Sequence, residues 1–452
     1  MTPGNADSVR RKLLSHCFGD GIDQFNGVQV MNQIVQNRVS NVKTIEEAED
    51  VWRAHRPDLK GCTLVLAMSQ QSPYRFPARL NLPGDGFLRS VFACDYLHFV
   101  SDDSVDQQVS PRTREIAASY SVSFDSSTAS YLRSLALGRR GNSAYKLVHT
   151  IRALGSTFGT GGFLWDPFPF LLERADAISE GRDEDFVFET LIACERLAVC
   201  DLAELQKNGS IASRIDESEI ERRAKAQIEW WKQGLRSGLG QAIRHRLNLF
   251  YAFALKTAII HLKRPSTKDA QVKLKELLEF LGDSVCCLPQ LTGTAALEFF
   301  TKGHKFAPFQ KLASRKPGLK KEARNVAWDF LHVQMGHECT GFHGTDGPFC
   351  VRYFLTFDRP LAELFDSFPQ RSCLICPDGR LPLFFADFDF PSQVLDQFPR
   401  LGPVIGKHYT LEADEDRRTR SQAKFPDIQA IITDLESEID QLGRPDACRS
   451  QN

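Results

Sequence analysis

Two stretches of this chain share one grammar: a short β-branched and aromatic run, then an aspartate, then residues that start a helix. Tyr120 to Phe124 (YSVSF) runs into Asp125, with helix-period residues from Ser127 to Leu137. Cys350 to Phe357 (CVRYFLTF) runs into Asp358 and an Arg-Pro helix start. Strands flanked by helices predict α/β architecture. In an open α/β sheet, ligands bind in the groove outside the carboxyl ends of the strands. Both aspartates are therefore expected at that edge.

The chain has 452 residues, roughly three domains' worth of material at ~150 residues each. Hydrophobic residues make up 42% and charged residues 25%, which excludes wholesale disorder. Fifty-six Lys and Arg against 57 Asp and Glu leave a net charge of −1, so a polyanion-coating protein is not expected. The twelve cysteines are too sparse and irregular for a disulfide scaffold, and Cys286 adjoins Cys287. A reduced, cytoplasmic protein is the expectation. The longest apolar run, Asn248 to Ile260, falls short of the ~20 residues a bilayer requires and is interrupted by Lys256. It predicts a buried core helix and no membrane span. The first residues lack an apolar core long enough for a secretory signal.

Three regions are expected. Residues 1–115 form a small mixed α/β unit, with a helix over Thr44 to His55 and strands over Cys62 to Met68 and Ser90 to Val100. Residues 116–375 form an α/β core interrupted by a large helical insertion. That insertion includes one helix over 186–207 and one or two over 218–262. Residues 376–452 form a C-terminal extension ending in an acidic amphipathic helix, Phe425 to Leu442, suited to bracing the fold or to meeting a partner.

Carboxylates brought together at a sheet edge either raise one pKa or recruit a cation. Mg²⁺ and Mn²⁺ take oxygen ligands. A third acid, Asp329, lies on the helix that follows Gly318, where Asn325, Asp329 and His332 share one polar face. A fourth is Glu173, in WDPFPFLLERAD, with Glu189 in reserve. The other reading is structural: strand-end aspartates commonly cap the following helix.

This set resembles the PIN-like nucleases. Asp125-Ser126-Ser127 follows an early strand, Glu173 lies on an early helix, Asp329 within a later one, and Thr356-Phe357-Asp358 ends a strand. The resemblance spans about residues 118–370 and implies a parallel-sheet PIN-like core. It also implies one or two Mg²⁺ or Mn²⁺ ions held by Asp125, Glu173, Asp329 and Asp358, activating water against a phosphodiester. Thr356 would orient Asp358 or the water, and His332 would support the ligands. Relative to the family's compact core, the interval between Asp125 and Asp329 is greatly lengthened.

Lys305 to Arg324 holds seven basic residues and one acid, interleaved with Phe306 and Phe309. Lys311, Arg315, Lys316, Lys320 and Lys321 are candidate phosphate contacts; a solvated loop is the alternative. His337, Cys339, His343, Cys350, Cys373 and Cys376 contain one Cys-x-x-Cys pair, half of a zinc site, with buried thiols as the other account. Gly155 to Gly162 lacks the Gly-Lys-Ser/Thr ending of a phosphate loop and reads as a connection. The expectation is a metal-dependent nuclease acting on single-stranded RNA or another nucleic acid. The alternative is a non-catalytic interaction module of the same fold, and a homo-oligomer or protein partner could use the C-terminal helix.

Overall fold

The computed structural model describes residues 33–69, 75–106, 118–139, 141–158, 163–200, 204, 207, 215–236, 239–342, 349–376, 382–424 and 427–442. The N-terminal stretch, His343 and the loop after Asp106 lie outside them; of the connection expected over Gly155 to Gly162, residues 155–158 end the helix Asn142–Phe158 and the rest lies outside the described residues. The chain is mixed α/β and divides into two compact units. The first comprises residues 1–242, 334–358 and 369–387; the second comprises 243–333, 359–368 and 388–452.

All ten described strands belong to the first unit. They are β1 (Thr63–Met68), β2 (Arg79–Leu82), β3 (Gly86–Ser90), β4 (Tyr96–Val100), β5 (Ala118–Phe124), β6 (Phe163–Asp166), β7 (Gly341–Phe342), β8 (Phe349–Thr356), β9 (Gln370–Ile375) and β10 (Leu383–Ala386). One sheet has the order β10-β9-β1-β4 and is antiparallel throughout. The other has the order β2-β3-β8-β5-β6, with β7 also on β8. In it β8, β5 and β6 are parallel, and β2 and β3 are antiparallel additions.

Strands from before residue 115 therefore share sheets with β8 and β9, so these units cut the chain otherwise than at 115 and 375. The expected strand over Ser90 to Val100 is in fact the end of β3, a bend, and β4. Ahead of it stands a hairpin the sequence reading missed. Its turn, Pro83-Gly84-Asp85, puts Gly84 at φ 83° and Asp85 at φ 63°. A Cβ on Gly84 would stand 2.6 Å from the Lys146 carbonyl oxygen, so glycine is required there twice over.

Local chemistry accounts for one helix of the core. Thr44 caps Ile45–Ala54 by accepting from the Glu47 N–H at 3.1 Å, and Glu47 reaches back to the Lys43 N–H at 2.7 Å. The helix buries Ala48 and Trp52 against Val35, Val39, Leu64, Leu66, Val100 and Leu374.

The second unit is helical among its described residues. Its centre is the helix Leu239–Lys263, whose buried Phe250 and Phe253 meet Phe309 and Phe330 at ring distances of 5.2–5.9 Å. The apolar run is a core helix, and among the described residues no helix is long and apolar enough to cross a membrane. The last helix, Ile428–Leu442, buries Ile428, Ile432, Leu435 and Ile439. These apolar residues are covered by this chain, as a bracing role expects.

Inside this unit His261 is 4% exposed, its ring 4.6 Å from that of Phe299 in a tilted contact. Burial, then the charges of Lys273 and His304, hold its pKa down to about 4. The folded chain keeps His261 neutral where the unfolded chain protonates it near 6.5. Its contribution is present in full above pH ~6.5 and is lost as pH falls from there through 4, about 3 kcal/mol in all. Urea titrations at pH 7 and pH 4.5 should show the loss, and His261→Leu should flatten it. An equal pH dependence in the variant would remove His261 as the cause.

Candidate functional site

The parallel strands place the acids. From β5 the chain passes through helices Ser126–Ala136 and Asn142–Phe158 to β6 on one side, and later returns to β8 on the other. Strand order therefore reverses between β5 and β8, making that boundary a topological switch point. The register sets Phe124 opposite Leu355, so Asp125 and Thr356 leave the sheet side by side.

Asp125 is only 6% exposed and fully engaged. One oxygen accepts the Thr128 N–H at 2.7 Å and caps the following helix; the other accepts the Thr356 hydroxyl at 2.6 Å. The Thr128 hydroxyl returns to the Leu355 carbonyl at 3.3 Å. The Asp358 main-chain N–H donates to Thr356 Oγ1 at 2.9 Å. Thr356 thus ties two strand ends together. Its hydroxyl proton goes to Asp125, not to Asp358, and Asp358 joins the network through its backbone.

Glu173 ends the helix Phe168–Glu173 and accepts a hydrogen bond from Ser126 Oγ, one residue beyond Asp125. Burial pushes the Asp125 carboxyl above its ordinary value, and the nearby Glu173 charge pushes the same way. Hydrogen bonds from Thr356 and Thr128 oppose them. Glu189 is engaged elsewhere, in an ion pair with Arg133.

The structure thus gathers Asp125, Ser126, Glu173 and Thr356, with Asp358 tied in by its main-chain N–H alone. Asp329 and His332 fall in the second unit, where His332 is buried and stacks on Trp328. Helical spacing put them on one face of their helix but carried no information about which unit that face joins.

One group escaped the sequence reading. Asp166 ends β6 in FLWDP, the same apolar-run-to-aspartate ending that marked Asp125 and Asp358. It pairs with Arg352 of β8, 5% exposed, across the central strand. Ser123 of β5 lies between them, accepting from Arg352 Nε at 2.6 Å and donating to Asp166 at 2.8 Å. The Arg352 guanidinium also lies 5.6 Å over the Phe168 ring. A cleft of about 710 Å³ opens beside Asp166, lined among others by Leu171, Arg222, Gln227 and Trp230.

The basic stretch lies in the second unit and is ordered. Phe306, Phe309 and Leu312 are buried, so the interleaved aromatics are core residues and not surfaces for stacking bases. Lys311, Arg315, Lys316 and Lys321 are exposed. Lys316 meets Glu322 at 3.4 Å, and Lys320 meets Asp440 of the last helix at 3.0 Å.

Cys373 and Cys350 are buried thiols, the former pushed well above its ordinary pKa and the latter up to about 11, both by burial. Among the described residues no three or more His, Cys, Asp or Glu side chains are gathered to hold a metal by themselves. A zinc site therefore finds no support there. The acidic site offers Asp125 and Glu173 together, and Mg²⁺ is commonly held by one or two carboxylates with water and substrate oxygens completing its shell. No family model matches the chain, and comparison with curated proteins and with solved structures likewise returns no match.

Proposed function

We propose that the chain is a metal-dependent nuclease of PIN-like type, with Asp125 and Glu173 holding Mg²⁺ or Mn²⁺ and water and substrate oxygens completing its shell. One observation carries this reading: two carboxylates, one buried and raised by burial and by the other's charge, meet outside the carboxyl ends of parallel strands at the switch point. A cation there would offset the burial cost and the repulsion. The bound ion supplies Lewis-acid activation of water against a phosphodiester. The chain's own part is orientation: Thr356 and the Thr128 N–H aim Asp125, and Ser126 aims Glu173. The deciding experiment is calorimetric titration of Mn²⁺ into the full chain and into Glu173→Gln, alongside cleavage of a single-stranded RNA. No binding and no cleavage by wild type would sink the reading.

A second reading, a binding module without catalysis, is favoured by the structural use of both Asp125 oxygens, one capping the helix and the other accepting from Thr356. Both readings use Lys311, Arg315, Lys316, Lys320 and Lys321 to contact phosphates. Replacing Lys320 and Lys321 by Ala should weaken RNA binding for all sequences alike and reduce the salt slope by roughly 0.7 per lost contact. A fluorescence-anisotropy salt titration checks this. An unchanged slope would return these lysines to a solvated surface, with Lys320 serving Asp440 alone.

A further inference from the structure

The antiparallel sheet brings together two thiols that the acidic site does not use. Thr63 of β1 stands opposite Ile375 of β9, so one step further along the ladder Cys62 faces Cys376. Their Sγ atoms are 3.0 Å apart although the residues are separated by 314 positions in the chain. Cross-strand neighbours have Cα atoms about 4.5–5.5 Å apart, within the range a disulfide spans. Cys376 has a nearer neighbour in sequence, Cys373, at Cys-x-x-Cys spacing. Residues three apart in a strand point to opposite faces, however, and Cys373 is paired in register with Val65. Cys62 and Cys376 instead share the face of Leu64 and Leu374, in the apolar cluster around Trp52.

We propose that Cys62 and Cys376 form a redox modification site whose oxidant is a low-molecular-weight disulfide of the glutathione class. Cys376 is the more exposed thiol and reacts first. Its proton passes to solvent, and the thiolate attacks one sulfur of the small disulfide. One small thiolate leaves, and Cys376 becomes a mixed disulfide. Cys62, deprotonated in turn, attacks Cys376 Sγ and expels the second small thiolate. Two protein thiols are oxidised, one small disulfide is reduced to two thiols, and the two protons pass to those leaving groups. The product staples the entry of β1 to the end of β9.

The test uses the full chain equilibrated with mixtures of oxidised and reduced glutathione, acid-quenched, alkylated and digested for mass spectrometry. The expected result is a peptide containing Cys62 joined to one containing Cys376, with two fewer alkylatable thiols per chain. Cys62→Ala should convert Cys376 into a lasting mixed disulfide, and Cys373→Ser should leave the cross-link intact. Cys376 recovered alkylated, joined to Cys373, or held as a mixed disulfide in the wild-type chain would overturn the proposal. The wild-type peptide map decides even if Cys62→Ala fails to fold.

Discussion

Arg352→Ala should lower the unfolding free energy of the first unit by about 3–5 kcal/mol, read as a lower urea midpoint with an unchanged slope. Arg352 sits among three parallel strands with 5% of its surface exposed, and Asp166 opposite it has 17%. Truncation leaves Asp166 and Ser123 without the guanidinium that faces them and strips packing from Phe168. The size of the loss reflects a stranded, partly buried charge more than the net worth of the pair. Arg352→Met with Asp166→Leu removes both charges and keeps apolar volume. That double variant should recover most of the loss. A single variant as stable as wild type would show that Asp166 is solvated well enough to stand alone.

Glu173→Gln should reduce Mn²⁺-dependent cleavage of single-stranded RNA on the order of 100-fold or more, the scale of removing one charge-stabilising group from an active site. The same change should lower the Asp125 pKa, because the Glu173 charge that helps raise it is gone. The metal-free variant is then as stable as wild type or more so, while Mn²⁺ protects it less against heat. Asp358→Asn keeps the main-chain N–H on Thr356, so its fold should also survive and any loss of cleavage would report on the carboxylate. The two variants are compared by single-turnover cleavage and by melting with and without Mn²⁺. Wild-type turnover in Glu173→Gln, with Mn²⁺ protection intact, would assign Asp125 and Glu173 to capping and hydrogen bonding alone.

Much of the site was legible locally, because local chemistry built it. Asp125 was readable as a strand-end acid, and its helix begins one residue later, at Ser126. The Thr44 helix start and the apolar core helix around Phe253 were readable for the same reason: caps and helical periodicity act over a few residues. Alternation of strands and helices also carried the α/β class. The hairpin at Gly84 was missed despite its Pro-Gly-Asp-Gly turn.

The rest depended on contacts between distant segments. Nothing in FLWDP says that Asp166 will meet an arginine on β8, because β8 reaches that position by parallel pairing with β5. Asp329 kept its helical face but joined the second unit, since a helix's periodicity specifies which residues are buried and not against what. The last helix buries Ile428, Ile432, Leu435 and Ile439, where the sequence left the helix equally suited to bracing the fold or to meeting a partner. Composition, caps and periods belong to the sequence; the meeting of Asp125 with Glu173, of Arg352 with Asp166 and of Cys62 with Cys376 belongs to the tertiary structure. Strand pairing brings segments together at a loop-closure cost that grows only slowly with the length between them, so no local signal records the partner.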